Sequence, residues 1–276
     1  MTPVTAADLQ ASFRGEIYGD ALTMTEAWFA DHVRRNDVDL ARSPRWTVGG
    51  ELSGAALLGF RGDRAWVGGF GVVPAYRGRG LARRYLAETL AIAREAGAAS
   101  LELEVIAHNA RAIALYEQGG FERIGELVAW SREPVRPRET AAVAGGRSVV
   151  TSAARLHTAA EVAALARDPA TCWQREPRAV AAASPSELVL VGPPQAPRAY
   201  AFVRANDDGR ASVLDAGIMP QSSADDATAL IAELDRRFAP ALMLVNEPPD
   251  GPLHAALGAS LHWREFIRQF RMRAVL

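Results

Sequence analysis

The chain contains no lysine: all 31 of its basic residues are arginine, set against 32 acidic ones for a net charge of −1. A phosphate backbone demands excess positive charge, so this balance excludes a general nucleic-acid binder. Together with the abundance of alanine, the missing lysine reads as a coding bias more than a functional choice. There is a single cysteine, Cys172, so no internal disulfide can form. A free cysteine usually packs as a small apolar residue. With no signal-peptide pattern beside it, this composition gives the expectation of a reducing, cytoplasmic setting. No apolar run approaches the roughly 18 residues of a membrane span, so no membrane association is expected. The five histidines form no cluster with metal-ligand spacing, so no metal is expected. Against these absences, 49% of the 276 residues are apolar, enough for a sizeable core and comfortable for two domains.

The first half has a readable order. Thr5, with Asp8 three residues on, opens a helix, and a second helical pattern covers Thr25 to Arg35. Trp46 to Val48, Gly54 to Arg61 and Arg64 to Val73 read as strands. Gly49-Gly50 and Gly62-Asp63 turn between them, which makes an antiparallel meander. A turn dense in Arg and Gly follows Pro74 and leads into a helix. Leu81, Tyr85, Leu86, Leu90 and Ala93 lie on one face of that helix, and Gly97 ends it. Leu101 to Ile106 alternates, with Glu102 and Glu104 on one face and Leu101, Leu103 and Val105 on the other. Asn109 caps a helix over Ala110 to Gln118, and Phe121 to Trp130 reads as a closing strand. The strand–helix–strand unit from Val67 to Ile106 implies a parallel pair, so the expected fold class is α/β, a mixed sheet flanked by helices.

The stretch Gly68 to Ala82, GGFGVVPAYRGRGLA, carries the chemistry. A strand that feeds a glycine-rich turn into a helix N-terminus presents unpaired N–H groups and a favourable dipole to an anion. Gly78 and Gly80 let the backbone approach a phosphate closely, and Arg77, Arg79, Arg83 and Arg84 add positive charge. Arg77-Gly78-Arg79-Gly80-Leu81-Ala82 resembles the pyrophosphate loop of the GNAT superfamily of acyl-CoA-dependent N-acetyltransferases. Asn109 and Leu115-Tyr116-Glu117-Gln118-Gly119-Gly120-Phe121 resemble that family's second motif, and the resemblance covers roughly residues 1 to 132. It implies acetyl-CoA as co-substrate and a primary amine as acceptor, either a small molecule or a protein N-terminus. It also implies that backbone groups at Gly71, Val72 and Val73 face the pantetheine arm and polarise the thioester. Asn109 is then a ligand of that arm as well as a helix cap, and Tyr116 is the general acid for the leaving thiolate.

The base is more open. Strand 64–73 carries no carboxylate past its start. Glu104 lies five residues before Asn109 and twelve before Tyr116, which resembles the protein N-terminal alanine acetyltransferases of the superfamily. Glu102 and His108 are the weaker candidates, and a solvated strand residue is the plain alternative for Glu104.

The second half reads as a faded copy. Arg132 to Arg147 has the composition of a linker, placed at 136–148 between domains at 1–135 and 149–276. Beyond it, Thr158-Ala159-Ala160-Glu161 echoes Thr5-Ala6-Ala7-Asp8, and Ala216-Gly217-Ile218-Met219-Pro220 echoes Phe70-Gly71-Val72-Val73-Pro74. Where the first copy has its glycines and arginines, the second has Ser223-Ala224-Asp225-Asp226, and the position of Tyr116 falls on Ala256. A tandem protein is therefore expected, one unit with a CoA site and one without, with the second walling one side of an acceptor pocket. The tail, 261–275, reads as a final strand or an amphipathic helix, and the resemblance, to a family that ends in strands, favours the strand. The expected state is monomer or homodimer. The competing reading is a non-catalytic acyl-CoA-binding or regulatory protein.

Overall fold

The computed structural model describes residues 2–15, 23–134, 149–165, 172–183, 185–206 and 209–276. The linker expected at 136–148 lies outside them. Contacts divide the chain into one compact unit of residues 1–125 with 270–276, and a second of 126–269. This differs from the boundaries expected from sequence, and the cause is an exchange of closing strands. The final residues leave the second unit and lie beside the fourth strand of the first, with the Leu276 amide donating to the Ala99 carbonyl at 3.0 Å. The end of the first unit's own closing strand pairs within the second unit. Composition marks a linker but does not reveal which strand edge a distant segment covers.

In the first unit, α1 (Ala6–Phe13) starts from a capping box: Thr5 accepts from the Asp8 amide while Asp8 accepts from that of Thr5. Thr25 caps α2 (Glu26–Arg35). β1 (Arg45–Val48), β2 (Glu51–Arg61) and β3 (Arg64–Val72) form the antiparallel meander. Its turns need left-handed backbone, with φ of 62° at Gly49, 87° at Gly50 and 59° at Gly62. Next come α3 (Leu81–Glu95), β4 (Ser100–Ile106), α4 (Ala110–Gln118) and β5 (Glu122–Arg132). β3 and β4 pair in parallel, as the crossover requires. One sheet face carries Leu58, Val67, Leu101 and Leu103 against Leu86, Leu90 and Ile113 of α3 and α4. The other carries Ala55 and Leu57 against Leu9 of α1 and Phe29 of α2.

The second unit repeats this order. After β6 (Val149–Thr151) come α5 (Ala159–Leu165), α6 (Pro177–Ala181), β7 (Glu187–Val191), β8 (Ala199–Ala205) and β9 (Ala211–Ile218). α7 (Ala224–Arg237), β10 (Leu242–Glu247), α8 (Pro252–Ala259) and β11 (Trp263–Val275) complete it. β7, β8 and β9 are antiparallel, and β9 pairs with β10 in parallel. The repeat extends to an irregularity. β3 slips register between Val67 and Gly69, leaving Gly68 as an extra residue; β9 slips between Val213 and Asp215, leaving Leu214. These are matching positions in the echo of Phe70-Gly71-Val72 by Ala216-Gly217-Ile218. No helix among the described residues is long and apolar enough to cross a membrane.

Candidate active site

β3 and β4 pair only over Arg64–Val67 and Ser100–Leu103. Past that level they part, and the bulge at Gly68, which turns the strand, sits where the parting begins. Beyond it, the strand partner of β3 is β2, and the Val72 carbonyl also accepts from Arg77. The Val73 amide donates to the Ser53 carbonyl at 2.9 Å. By strand parity the amides of Phe70 and Val72 face the opposite edge, into the gap. Gly71 is required by packing: a Cβ there would lie 2.7 Å from the Ser12 carbonyl oxygen of α1.

The turn after β3 opens α3 in an unusual way. Gly78 and Gly80 have φ of 75° and 77°, and a Cβ on either would meet nothing within 4 Å. Gly80 occupies the N-cap position of α3, with no side chain capping it. The first turn holds no acidic residue, but it does hold Arg83 and Arg84. The dipole disfavours cations there, so this arrangement suits an anion held between them. Leu81 and Ala82 anchor the start of the helix against the cluster of Trp46, Val72 and Tyr85.

The arginines divide by task. Arg77 turns inward: its Nε donates to the Val72 carbonyl at 2.8 Å, and one terminal nitrogen reaches the carbonyls of Arg14 at 2.8 Å and Ser12 at 3.3 Å. It ties the turn to the end of α1. Arg79 lies over the Tyr76 ring at 5.4 Å, Arg83 donates to Gln118 at 3.0 Å, and Arg84 pairs with Glu88 at 2.8 Å.

Tyr116 is buried on α4, with its ring edge-on to Phe70 at 6.2 Å and tilted against Phe121 at 5.6 Å. Burial raises its pKa above the usual value of 10, so the phenol keeps its proton at neutral pH. The Asn109 side chain caps α4 by accepting from the Ala112 amide at 3.1 Å.

The two strand carboxylates separate clearly. Glu102 is buried and gripped by Arg273 at 3.0 Å and Arg271 at 3.4 Å, both from the end of β11. Glu104, two residues on and on the same face, is half-buried and accepts from the indole Nε1 of Trp66 at 2.8 Å. Burial pushes its pKa from 4.5 up to about 7, against the opposing pull of the Trp66 hydrogen bond and Arg271. His108 is exposed. Among the described residues no group of three metal-ligating side chains occurs. Sequence reasoning missed Trp66 and Arg271. Trp66 reads as an ordinary strand aromatic, and Arg271 lies 169 residues from the carboxylate it holds.

Residues 7–121 match the Acetyltransferase (GNAT) family. The [ribosomal protein bS18]-alanine N-acetyltransferase of Escherichia coli is 31% identical over 121 residues, 44% of this chain and 79% of that protein. The chain belongs to the GNAT acetyltransferase family. The N-alpha-acetyltransferase RimI of Mycobacterium tuberculosis is 39% identical over 92 residues, 30% of this chain and 56% of that protein, so the chain spans about half the length of that relative. A GCN5-related N-acetyltransferase from Sphaerobacter thermophilus shares the fold with a TM-score of 0.70 at 16% identity, over 99% of this chain and 94% of that one.

The second unit shows the GNAT strand pattern with different contents. β9 and β10 pair only over Ala211–Val213 and Leu242–Leu244. Past that level the fully buried Arg175 bridges them. It donates to Asp215 at 2.7 Å and the Ala216 carbonyl at 2.6 Å on β9, and to the Asn246 carbonyl at 3.0 Å and Glu247 at 2.6 Å on β10. Tyr200 completes the cluster by donating to Asp215 at 2.7 Å. The helix that follows, α7, is closed by its own capping box of Ser223 and Asp226.

Proposed function

We propose that the first unit is an acetyl-CoA-dependent N-acetyltransferase acting on a primary amine by direct attack. The observation that carries this reading is Glu104, a carboxylate with a pKa near neutrality, placed where β3 and β4 part. A base is most effective when its pKa lies near the working pH. The donor's pyrophosphate lies at the open N-terminus of α3 over Gly78, Arg79 and Gly80, and Arg83 supplies charge there. Arg77 shapes this cradle from behind through its three carbonyl contacts. The pantetheine arm pairs along the edge of β3 that faces away from β2, with Asn109 on its far side.

Glu104 takes a proton from the acceptor ammonium. The freed amine attacks the thioester carbonyl, the carbon–sulfur bond breaks, Tyr116 gives its proton to the departing thiolate, and the second proton lost by the nitrogen passes back to the Tyr116 phenolate. Holding both reactants in one gap makes the reaction effectively unimolecular. The names of the two relatives, which describe N-alpha and ribosomal-protein N-terminal acetylation, favour a protein N-terminus as the acceptor. In the second unit, Arg175 fills the gap between the strands and occupies the carbonyls of Ala216 and Asn246 there, and the capping box closes the helix. We therefore assign it no donor site.

The test is turnover of acetyl-CoA with an alanine-initiated peptide, comparing wild type and Tyr116→Phe. The variant should lose about 10- to 1000-fold in kcat, typical for a general acid, with donor affinity nearly unchanged. An unchanged kcat removes Tyr116 from the acid role. Tight acetyl-CoA binding without turnover over a panel of amines supports the non-catalytic reading instead.

A further inference from the structure

Glu104 is held by a group that carries no charge, and the way that group is itself held is informative. Trp66 is the register partner of Glu102, one level short of the last paired level of β3 and β4 (Val67 with Leu103), while Glu104 lies past it. The hydrogen bond from the indole to Glu104, 2.8 Å long, therefore reaches from the paired part of β3 to the first residue of β4 past the pairing. The indole has little freedom. It is 1% exposed. It also lies against the bulged Gly68 so closely that a Cβ there would sit 2.5 Å from the ring. His32 of α2 covers it at 5.9 Å and is in turn stacked on Trp28 at 4.8 Å.

The charged and titratable groups facing this carboxylate are Glu102 on β4, Arg271 on β11 and, behind the indole, His32 on α2. His32 is itself largely neutral above pH 5, since burial lowers its pKa to about 4. Glu102 absorbs Arg271 and Arg273 as ion-pair partners. A guanidinium bonded directly to Glu104 would orient it but also fix it as a weakly basic anion. An indole N–H orients one oxygen at a smaller cost to basicity.

We infer that Trp66 is a positioning residue of the acid–base site: it fixes one oxygen of Glu104 through the indole N–H and so aims the other at the incoming amine. This rests on the reading of Glu104 as base. The bulge at Gly68 is then part of the device, because any side chain there would displace the indole.

The experiment uses the full chain with its six tryptophans labelled at the indole nitrogen. One indole N–H resonance should follow a titration near pH 7 in wild type, and that pH dependence should vanish in Glu104→Gln. Trp66→Phe removes the resonance, giving its assignment. Losing one donor to the charged form should raise the Glu104 carboxyl pKa, read by carbon-13 NMR of labelled glutamate, by about 0.5–1 unit. It should also lower kcat/KM on the peptide while leaving the KM for acetyl-CoA unchanged. No indole resonance tracking Glu104, or a carboxyl titration identical in Trp66→Phe, overturns the inference. The indole result needs no folded Trp66 variant. Full turnover in Glu104→Gln with the indole titration intact in wild type would instead remove the base role and leave the hydrogen bond standing.

Discussion

Glu104→Gln should stabilise the protein at alkaline pH while disabling it. In the unfolded chain the carboxyl ionises near 4.5; in the fold, burial moves it up to about 7. A raised pKa means that the folded state favours the protonated form. The stability it contributes is fully present below the unfolded pKa and is lost as pH rises through the folded one. That shift corresponds to about 3 kcal/mol for a fully shielded group, and to about 2 once water reaching a half-buried carboxylate is allowed for. Glutamine stays neutral at every pH and retains an oxygen to accept from Trp66.

Urea unfolding of wild type and Glu104→Gln at pH 4 and pH 8.5 provides the assay. The midpoints should coincide at pH 4, where both side chains are neutral. At pH 8.5 the variant's midpoint should be higher by about 1 M, taking an m-value of about 2–3 kcal/mol/M. Turnover should fall in parallel, since the group that strains the fold is the one proposed as base. A difference that does not change with pH, or a variant less stable at pH 8.5, would show Glu104 to be a satisfied anion and refute the reasoning.

Calorimetric titration with acetyl-CoA should give one site per chain, because the second unit has a capped helix and a bridged strand gap; two sites would overturn the assignment for that unit. Arg175→Met should destabilise the second unit by about 3–5 kcal/mol, since it leaves Asp215 and Glu247 buried without their counter-ion. Hydrogen exchange of β9 and β10 measures this. Adding Asp215→Asn and Glu247→Gln should recover much of the loss, and failure to recover would mean that Arg175 acts through its shape and not its charge.

Much of the fold was legible because local rules set it. Thr5 with Asp8, Thr25 and Asn109 announced helix starts that the side chains do cap. The glycines at 49, 50, 62 and 97 stand where positive φ ends or reverses an element. The strand–helix–strand spacing required the parallel pair of β3 and β4. The echo of the first half in the second was visible down to its lost glycines, and the shared bulge at Gly68 and Leu214 adds a backbone counterpart. The exchange of closing strands was not legible, because pairing at a sheet edge depends on which distant segment arrives there.

What the sequence determined by itself is an anion-suited start to α3: a left-handed glycine at its mouth and no acidic residue to cap it are properties of a few adjacent residues. What only the tertiary structure decided is how the two carboxylates of β4 differ in their surroundings. Glu102 and Glu104 share a face by strand alternation; the spacing to Asn109 and Tyr116 favoured Glu104, but nothing local shows how their environments differ. They differ because arginines from the far end of the chain neutralise the first, while burial beside an uncharged indole raises the pKa of the second. Ionisation depends on every charge and every dry surface within a few ångströms, and those neighbours are assembled by folding and not by sequence order.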